Sequence, residues 1–260
     1  MNRIQAIMGK EFMEASRNKM IVSTMAILPV IILAVSLGTL YAISSGLGGD
    51  SLKTGINGMP DYLKGMDPKD AVGIMMVTQY LFLFLVVPAS IPVTIASYSI
   101  VGEKEAKSLE PLLATPIRTW ELLLAKSLAA AIPGAVMSWL IFGIFVLGVR
   151  IISSDVVFAL VTSPVWLIAN ILVSPLLATL SVLAGVIASS RMNDPRAVQQ
   201  LVAFLVVPII LIGVGQSTGL FLVNAAMISL GALLVLLIDV GLLFLAVRLF
   251  QRETILTRWR

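Results

Sequence analysis

The sequence predicts an all-α membrane protein with six transmembrane helices, and three observations carry that prediction. Of 260 residues, 58% are hydrophobic and 12% are charged, with a mean hydropathy of +1.02. Soluble domains carry about 25% charged residues, so one soluble core could not hide this much apolar surface. Second, residues 20–49, 71–102, 127–149, 156–190 and 197–238 hold no charge at all. A spanning helix needs about 20 apolar residues. Third, the basic residues alternate sides as a multi-pass chain requires.

The chain begins with an amphipathic stretch, residues 1–19. At 100° per residue Met1, Ile4, Met8, Phe12 and Ala15 share one arc, and Arg3, Lys10, Glu14 and Arg17 the opposite one. Ile7, Glu11 and Met13 fit neither arc well. The pattern predicts an interfacial helix lying on the membrane lipid; a plain basic start that fixes topology is the simpler alternative.

Span 1 lies within 20–49. It begins too late and runs too long for a cleaved signal peptide. The glycine-rich stretch from Ser44 to Asp70 reads as a linker. Span 2 lies within 71–102, span 3 within 127–149 and span 4 within 156–190. The fifth gap is too long for one helix. The patch Gly213-Val-Gly-Gln-Ser-Thr-Gly219 reads as a turn, splitting it into helices near 197–215 and 224–247. Six spans put both termini on one side. That side holds Arg3, Lys10, Arg17, Lys19, Lys104, Lys107, Arg118, Lys126, Arg191, Arg196, Arg248, Arg252, Arg258 and Arg260; the other holds Lys53, Lys64, Lys69 and Arg150. The positive-inside rule makes the first side cytoplasmic, in the cell (plasma) membrane. The net charge of +4 thus reads as contact with anionic lipid, not nucleic acid. The chain reads as a single membrane domain, 1–260.

Within the spans, Pro29, Pro88, Pro92, Pro133, Pro175 and Pro208 predict kinks in spans 1 to 5. Ala130, Gly134 and Ser138, and Ser181, Gly185 and Ser189, form two rows of small residues for close helix contact, within the chain or at a dimer seam. Asp239 is the charged residue deep in a span. It reads as a group contacting cargo or a cation, as a partner to Gln79 or Asn170 in other spans, or as a protonated or hydrogen-bonded structural link. Cysteine and histidine are both absent. Thiolate metal sites, cysteine nucleophiles and histidine-based triads are therefore excluded, and no metal site or catalytic residue is predicted.

The charged stretch from Gly102 to Lys126 is the most patterned segment. Glu103 and Lys107 stand at i, i+4; Leu109, Leu112 and Leu113 form an apolar edge; Pro111 and Pro116 interrupt helix. Thr119 and Glu121 suit the start of the next helix. By pattern alone this is either a docking surface for a partner or a solvated loop with two helix ends.

That string, between spans 2 and 3, resembles the signature of the transmembrane subunits of type-2 ABC transporters, which are mostly exporters. The signature runs Glu-x-Glu, then Leu-Glu-x-Leu-Leu and Thr/Ser-Pro, then Trp/Tyr-Glu-Leu-Leu-Leu-x-Lys. Its counterparts here are Glu103, Glu105, Leu109, Glu110, Leu112, Leu113, Thr115, Pro116, Trp120, Glu121, Leu122, Leu123, Leu124 and Lys126. Lys107-Ser108 departs from the Gly-Thr often found there, which alters the bend of the segment. The resemblance implies a coupling helix within 102–121. It assigns ATPase coupling to Glu103, Glu105, Leu109, Glu110, Leu112, Leu113, Thr115 and Pro116. It also implies a separate ABC ATP-binding subunit that holds ATP and magnesium, and a second permease copy, identical or different. The chain has no Gly-x-x-x-x-Gly-Lys-Ser/Thr loop, so it is expected to carry no cofactor and not to be an enzyme by itself. The expected function is alternating-access transport, in the export direction. A secondary transporter or channel, an intramembrane protease and a non-transporting scaffold are the competing classes. The first needs inverted repeats or a path of ionisable groups, and the second a histidine or paired aspartates; none of these is evident.

Overall fold

The computed structural model describes residues 3–47, 63, 65–105, 119–218, 220 and 222–249. These residues form helices and no strand, and six of the helical stretches are long and apolar enough to cross a membrane. Helix α1 is Arg3–Arg17, α2 is Lys19–Ser45, α3 is Pro68–Glu105 and α4 is Thr119–Ile152. The short α5, Asp155–Val161, comes next. Span 4 is built from α6, Pro164–Leu167, a π-helical turn, Ile168–Val173, and α7, Ser174–Arg191. Span 5 combines α8, Pro195–Ala203, with α9, Val206–Ser217; span 6 is α10, Ala225–Leu249.

Local chemistry starts four of these spans. The side chain of Asn18 accepts from the Ile21 amide at 3.4 Å, Asp67 from Lys69 at 2.9 Å, Asp194 from Arg196 at 3.0 Å and Asn224 from Met227 at 2.9 Å. Each satisfies an orphan donor at a helix N-terminus. Pro68 and Pro195 follow their caps, where a missing N–H costs nothing.

Span 2 is the central post, packing against spans 1, 3, 4 and 5, while span 6 lies against span 4. Apolar burial drives helices together weakly in lipid, so close packing has to hold the bundle. The two rows of small residues supply it within one chain. A Cβ on Gly134 would stand 2.3 Å from Pro92 Cγ, and one on Gly185 3.0 Å from Val93 Cγ2. Both glycines therefore face span 2. At the same level of packing, Phe84, Phe142, Phe145 and Trp166 form an aromatic cluster, with Phe142 stacked on Trp166 at 6.0 Å and Phe84 tilted against Phe145 at 4.8 Å. Tyr80 hydrogen-bonds Thr39 and so ties span 1 to span 2. At the end of the bundle away from α1, Ser154 donates to Asp70 at 2.6 Å and Lys69 to the Ser44 carbonyl at 3.1 Å. Arg150 pairs with Asp155, its guanidinium 5.1 Å above the Phe158 ring.

Span 4 begins at Pro164, inside its charge-free gap, and the spare residues of that gap form α5. One expectation needs correction. The helix of span 5 runs through Gly213 to Ser217, so Gly213 is not in a turn. It is small because a Cβ there would meet the Phe82 ring at 3.1 Å. Apart from that, α2, α3 and α4 are continuous helices through Pro29, Pro88, Pro92 and Pro133, whereas spans 4 and 5 are interrupted. In span 5, Pro208 lacks an N–H and crowds the Phe204 carbonyl, and the break falls at Phe204–Leu205. In span 4 the π-helical turn ends at Val173, two residues before Pro175. The Asn170 carbonyl there accepts from Trp139 Nε1 at 2.9 Å and Ser174 Oγ at 2.5 Å.

Candidate functional site

The segment expected to couple to a motor enters and leaves the bundle at the end that carries α1. Glu103 and Glu105 are the last turn of α3, at the root of the segment. Leu109, Glu110, Leu112, Leu113, Thr115 and Pro116 lie outside the described residues. The returning root is the start of α4, with Glu121 in its first turn. There the Trp-Glu-Leu-Leu-Leu-x-Lys string has a clear division of labour: Leu122, Leu123 and Ala125 are buried, and Trp120 is exposed.

The lysine that closes the string has a structural partner that the sequence did not reveal. Lys126 Nζ lies 2.6 Å from Glu11 Oε1, and both side chains are 5% exposed. Ser99 Oγ, near the end of span 2, donates to Glu11 Oε2 at 2.6 Å, and Lys126 Nζ donates to Ser99 Oγ at 2.9 Å. One carboxylate thus accepts from both roots of the segment. Removing one member of a buried pair costs roughly 3–5 kcal/mol, since the other charge is stranded. The signal in the sequence was the misfit of Glu11. It is off the charged arc of α1 because it points at the protein, while Lys10 and Glu14 pair in the open at 3.5 Å. Met8 and Ala15 are half-buried beside it, and Phe12 and Met13 remain exposed. A cavity of about 160 Å³ opens between α1 and span 2 next to this cluster.

The intramembrane polar residues do not form one site. Asp239 is buried in the stripe Ala232, Asp239, Ala246, the buried side of span 6 against span 4. Asn170 is fully buried in the π-helical turn, with its amide donating to the Trp166 carbonyl at 3.1 Å. Span 6 packs on that turn, yet among the described residues neither Asp239 oxygen nor Asn170 Oδ1 has a hydrogen-bond partner. Gln79 is exposed on span 2. Among the described residues, neither Gln79 nor Asn170 hydrogen-bonds Asp239. The reason is geometric: Gln79 points away from the interior of the bundle, and the Asn170 amide is spent on its own helix. Among the described residues no cluster could hold a metal ion.

An unpartnered buried carboxyl lowers stability relative to an apolar group of similar size. Asp239→Leu is therefore expected to keep or raise the thermal midpoint of the purified protein in detergent. A clear drop would show that the carboxyl is held by a group not seen here.

A family model for the ABC-2 type transporter matches residues 2–215, which takes in α1, the 102–126 segment and spans 1 to 4 whole. No curated protein matches the chain.

Proposed function

The chain belongs to the ABC-2 type transporter family and is an ABC transporter permease; from that premise we propose that it exports its cargo by alternating access, driven by a separate ATP-binding subunit. That subunit binds ATP and magnesium and grips the 102–121 segment, with Glu103, Glu105, Leu109, Glu110, Leu112, Leu113, Thr115 and Pro116 as the coupling residues. The observation that carries this reading is the 102–126 string itself. It leaves span 2 and re-enters span 3 at roots pinned to each other through Ser99 and Lys126 at 2.9 Å. A load on the segment is thereby delivered to two spans at once.

Both termini lie in the cytoplasm, and α1 rests at the cytoplasmic face of the plasma membrane with Phe12 and Met13 toward lipid. Two permease copies form the pathway. Exposed Gln79 supports this, because an amide at membrane depth needs a polar partner, which a second copy or the cargo path supplies. Spans 5 and 6 also leave large apolar side chains such as Leu211 and Leu237 uncovered, available to lipid or that copy.

One experiment tests orientation and motor together. The chain has no cysteine, so single cysteines at Ser51 and Ser108 report cleanly. In intact cells an impermeant thiol reagent should label Ser51→Cys only. In inside-out vesicles it should label Ser108→Cys, and the co-expressed ATP-binding subunit should shield that position. Labelling of Ser108→Cys from outside, or no shielding in inside-out vesicles, would overturn the reading.

A further inference from the structure

Resting on the transporter reading above, we propose that Glu11, Ser99 and Lys126 form a joint that makes α1 move with the two roots of the coupling segment and carries that motion into span 1. Glu11 accepts from Ser99 at 2.6 Å through one oxygen and from Lys126 at 2.6 Å through the other, and Lys126 and Ser99 are themselves 2.9 Å apart. The ring closes across three elements. Ser99 stands three residues before Gly102, where the segment leaves, and Lys126 five residues after Glu121, where it returns.

Packing of α1 on span 2 is slight, through Ala15 against the cluster that holds Ile95 and Ile100. The helix lies mainly along span 3, and a cavity of about 160 Å³ separates it from span 2, with Glu11, Tyr98 and Ser99 in its lining. The Ser99 hydroxyl bridges that gap. Nor does a stability role explain the choice of residues, since a buried ion pair is often no better than apolar side chains of the same volume. What the pair adds is direction: a displacement of either root strains a short, desolvated contact to Glu11.

From α1 the path to span 1 is a single residue, Asn18. The Asn18 amide donates to the Ala15 carbonyl at 3.2 Å, and the Asn18 side chain caps α2 through Ile21. Span 1 keeps an outward face of Ile27, Val30, Ile31 and Val35, so it is free to shift against lipid. Glu11, Ser99 and Lys126 are thus positioning residues that act through span 1, not cargo contacts.

The test uses the permease assembled with its ATP-binding subunit. Spin labels at Tyr41→Cys and Leu147→Cys, both exposed, read the distance between spans 1 and 3 at the far end of the bundle. Without nucleotide and with ATP plus vanadate, the native background should give two different distances. Glu11→Gln and Lys126→Met should each abolish that shift while ATP hydrolysis continues, and the exchange Glu11→Lys with Lys126→Glu should restore it. If the exchanged protein fails to insert, Ser99→Ala serves instead, with a reduced shift expected. A shift that survives intact in both single variants overturns the joint, as does a native span 1 that stays still while ATP is hydrolysed. A native assembly indifferent to nucleotide, in distance and hydrolysis alike, overturns the transporter reading itself.

Discussion

Alanine at Gly134 is expected to cost this bundle about 3 kcal/mol, the largest loss expected for alanine at any of its described glycines. The added Cβ would stand 2.3 Å from Pro92 Cγ and 3.0 Å from its Cδ. A proline ring in the middle of a helix cannot swing aside, so span 2 and span 3 must separate along the row where they touch. Gly148→Ala is the matched control. Its Cβ would stand 2.5 Å from Leu37 Cδ2, almost as close, but that atom is the far end of a flexible side chain on span 1. The leucine can change rotamer at a cost of about 1 kcal/mol or less. Thermal unfolding in detergent should therefore show a large drop for Gly134→Ala and a small one for Gly148→Ala. Equal midpoints would mean that spans 2 and 3 do not meet at Pro92.

That contrast also marks what a sequence can and cannot disclose about such a fold. The six spans were legible because lipid tolerates few charges, and each charge-free gap has a helix inside it. The small-residue rows were legible as contact surfaces, but not the element they contact. Gly134 and Gly185 turn out to face one helix, span 2, from two sides. Gly213 was misread because glycine serves both turns and close approach, and only the nearby Phe82 ring distinguishes the two. Proline was ambiguous in the same way: the break falls where Pro208 crowds Phe204, while Pro88 and Pro92 leave α3 unbroken.

The polar residues divide along similar lines. Asp239 could be singled out from its depth in a span. Its lack of a partner could not, because that depends on how span 6 is rotated against span 4. Glu11 was visible only as an exception to the pattern of α1. Its partners, Ser99 and Lys126, are 88 and 115 residues away in the chain. Pairings at that separation are set by topology, and no local pattern encodes them.

The functional counterpart of Gly134→Ala is an arginine at Leu113 or Glu110. By its pattern the segment presents Leu109, Leu112 and Leu113 as an apolar edge with the Glu110 carboxylate among them. A partner that receives this edge desolvates the leucines and meets the carboxylate with a positive or hydrogen-bonding group. An arginine at 113 would bring an unpaired charge into the contact, and one at 110 would set like charges against each other. Losing one anchor of this kind costs about 2 kcal/mol or more, roughly a thirtyfold weaker grip. Nucleotide-dependent flux should fall at least tenfold, together with co-purification of the ATP-binding subunit. The charge pattern puts both positions outside the predicted spans, so the amount of permease in the membrane and its thermal midpoint should stay at native values. The two sets of variants therefore fail in opposite ways. Gly134→Ala should damage the bundle itself, whereas, on the proposed coupling, Leu113→Arg and Glu110→Arg should leave the bundle sound and detach the ATP-binding subunit. Native flux in both arginine variants would mean that the 102–121 segment does not receive the force, whatever its resemblance to segments that do.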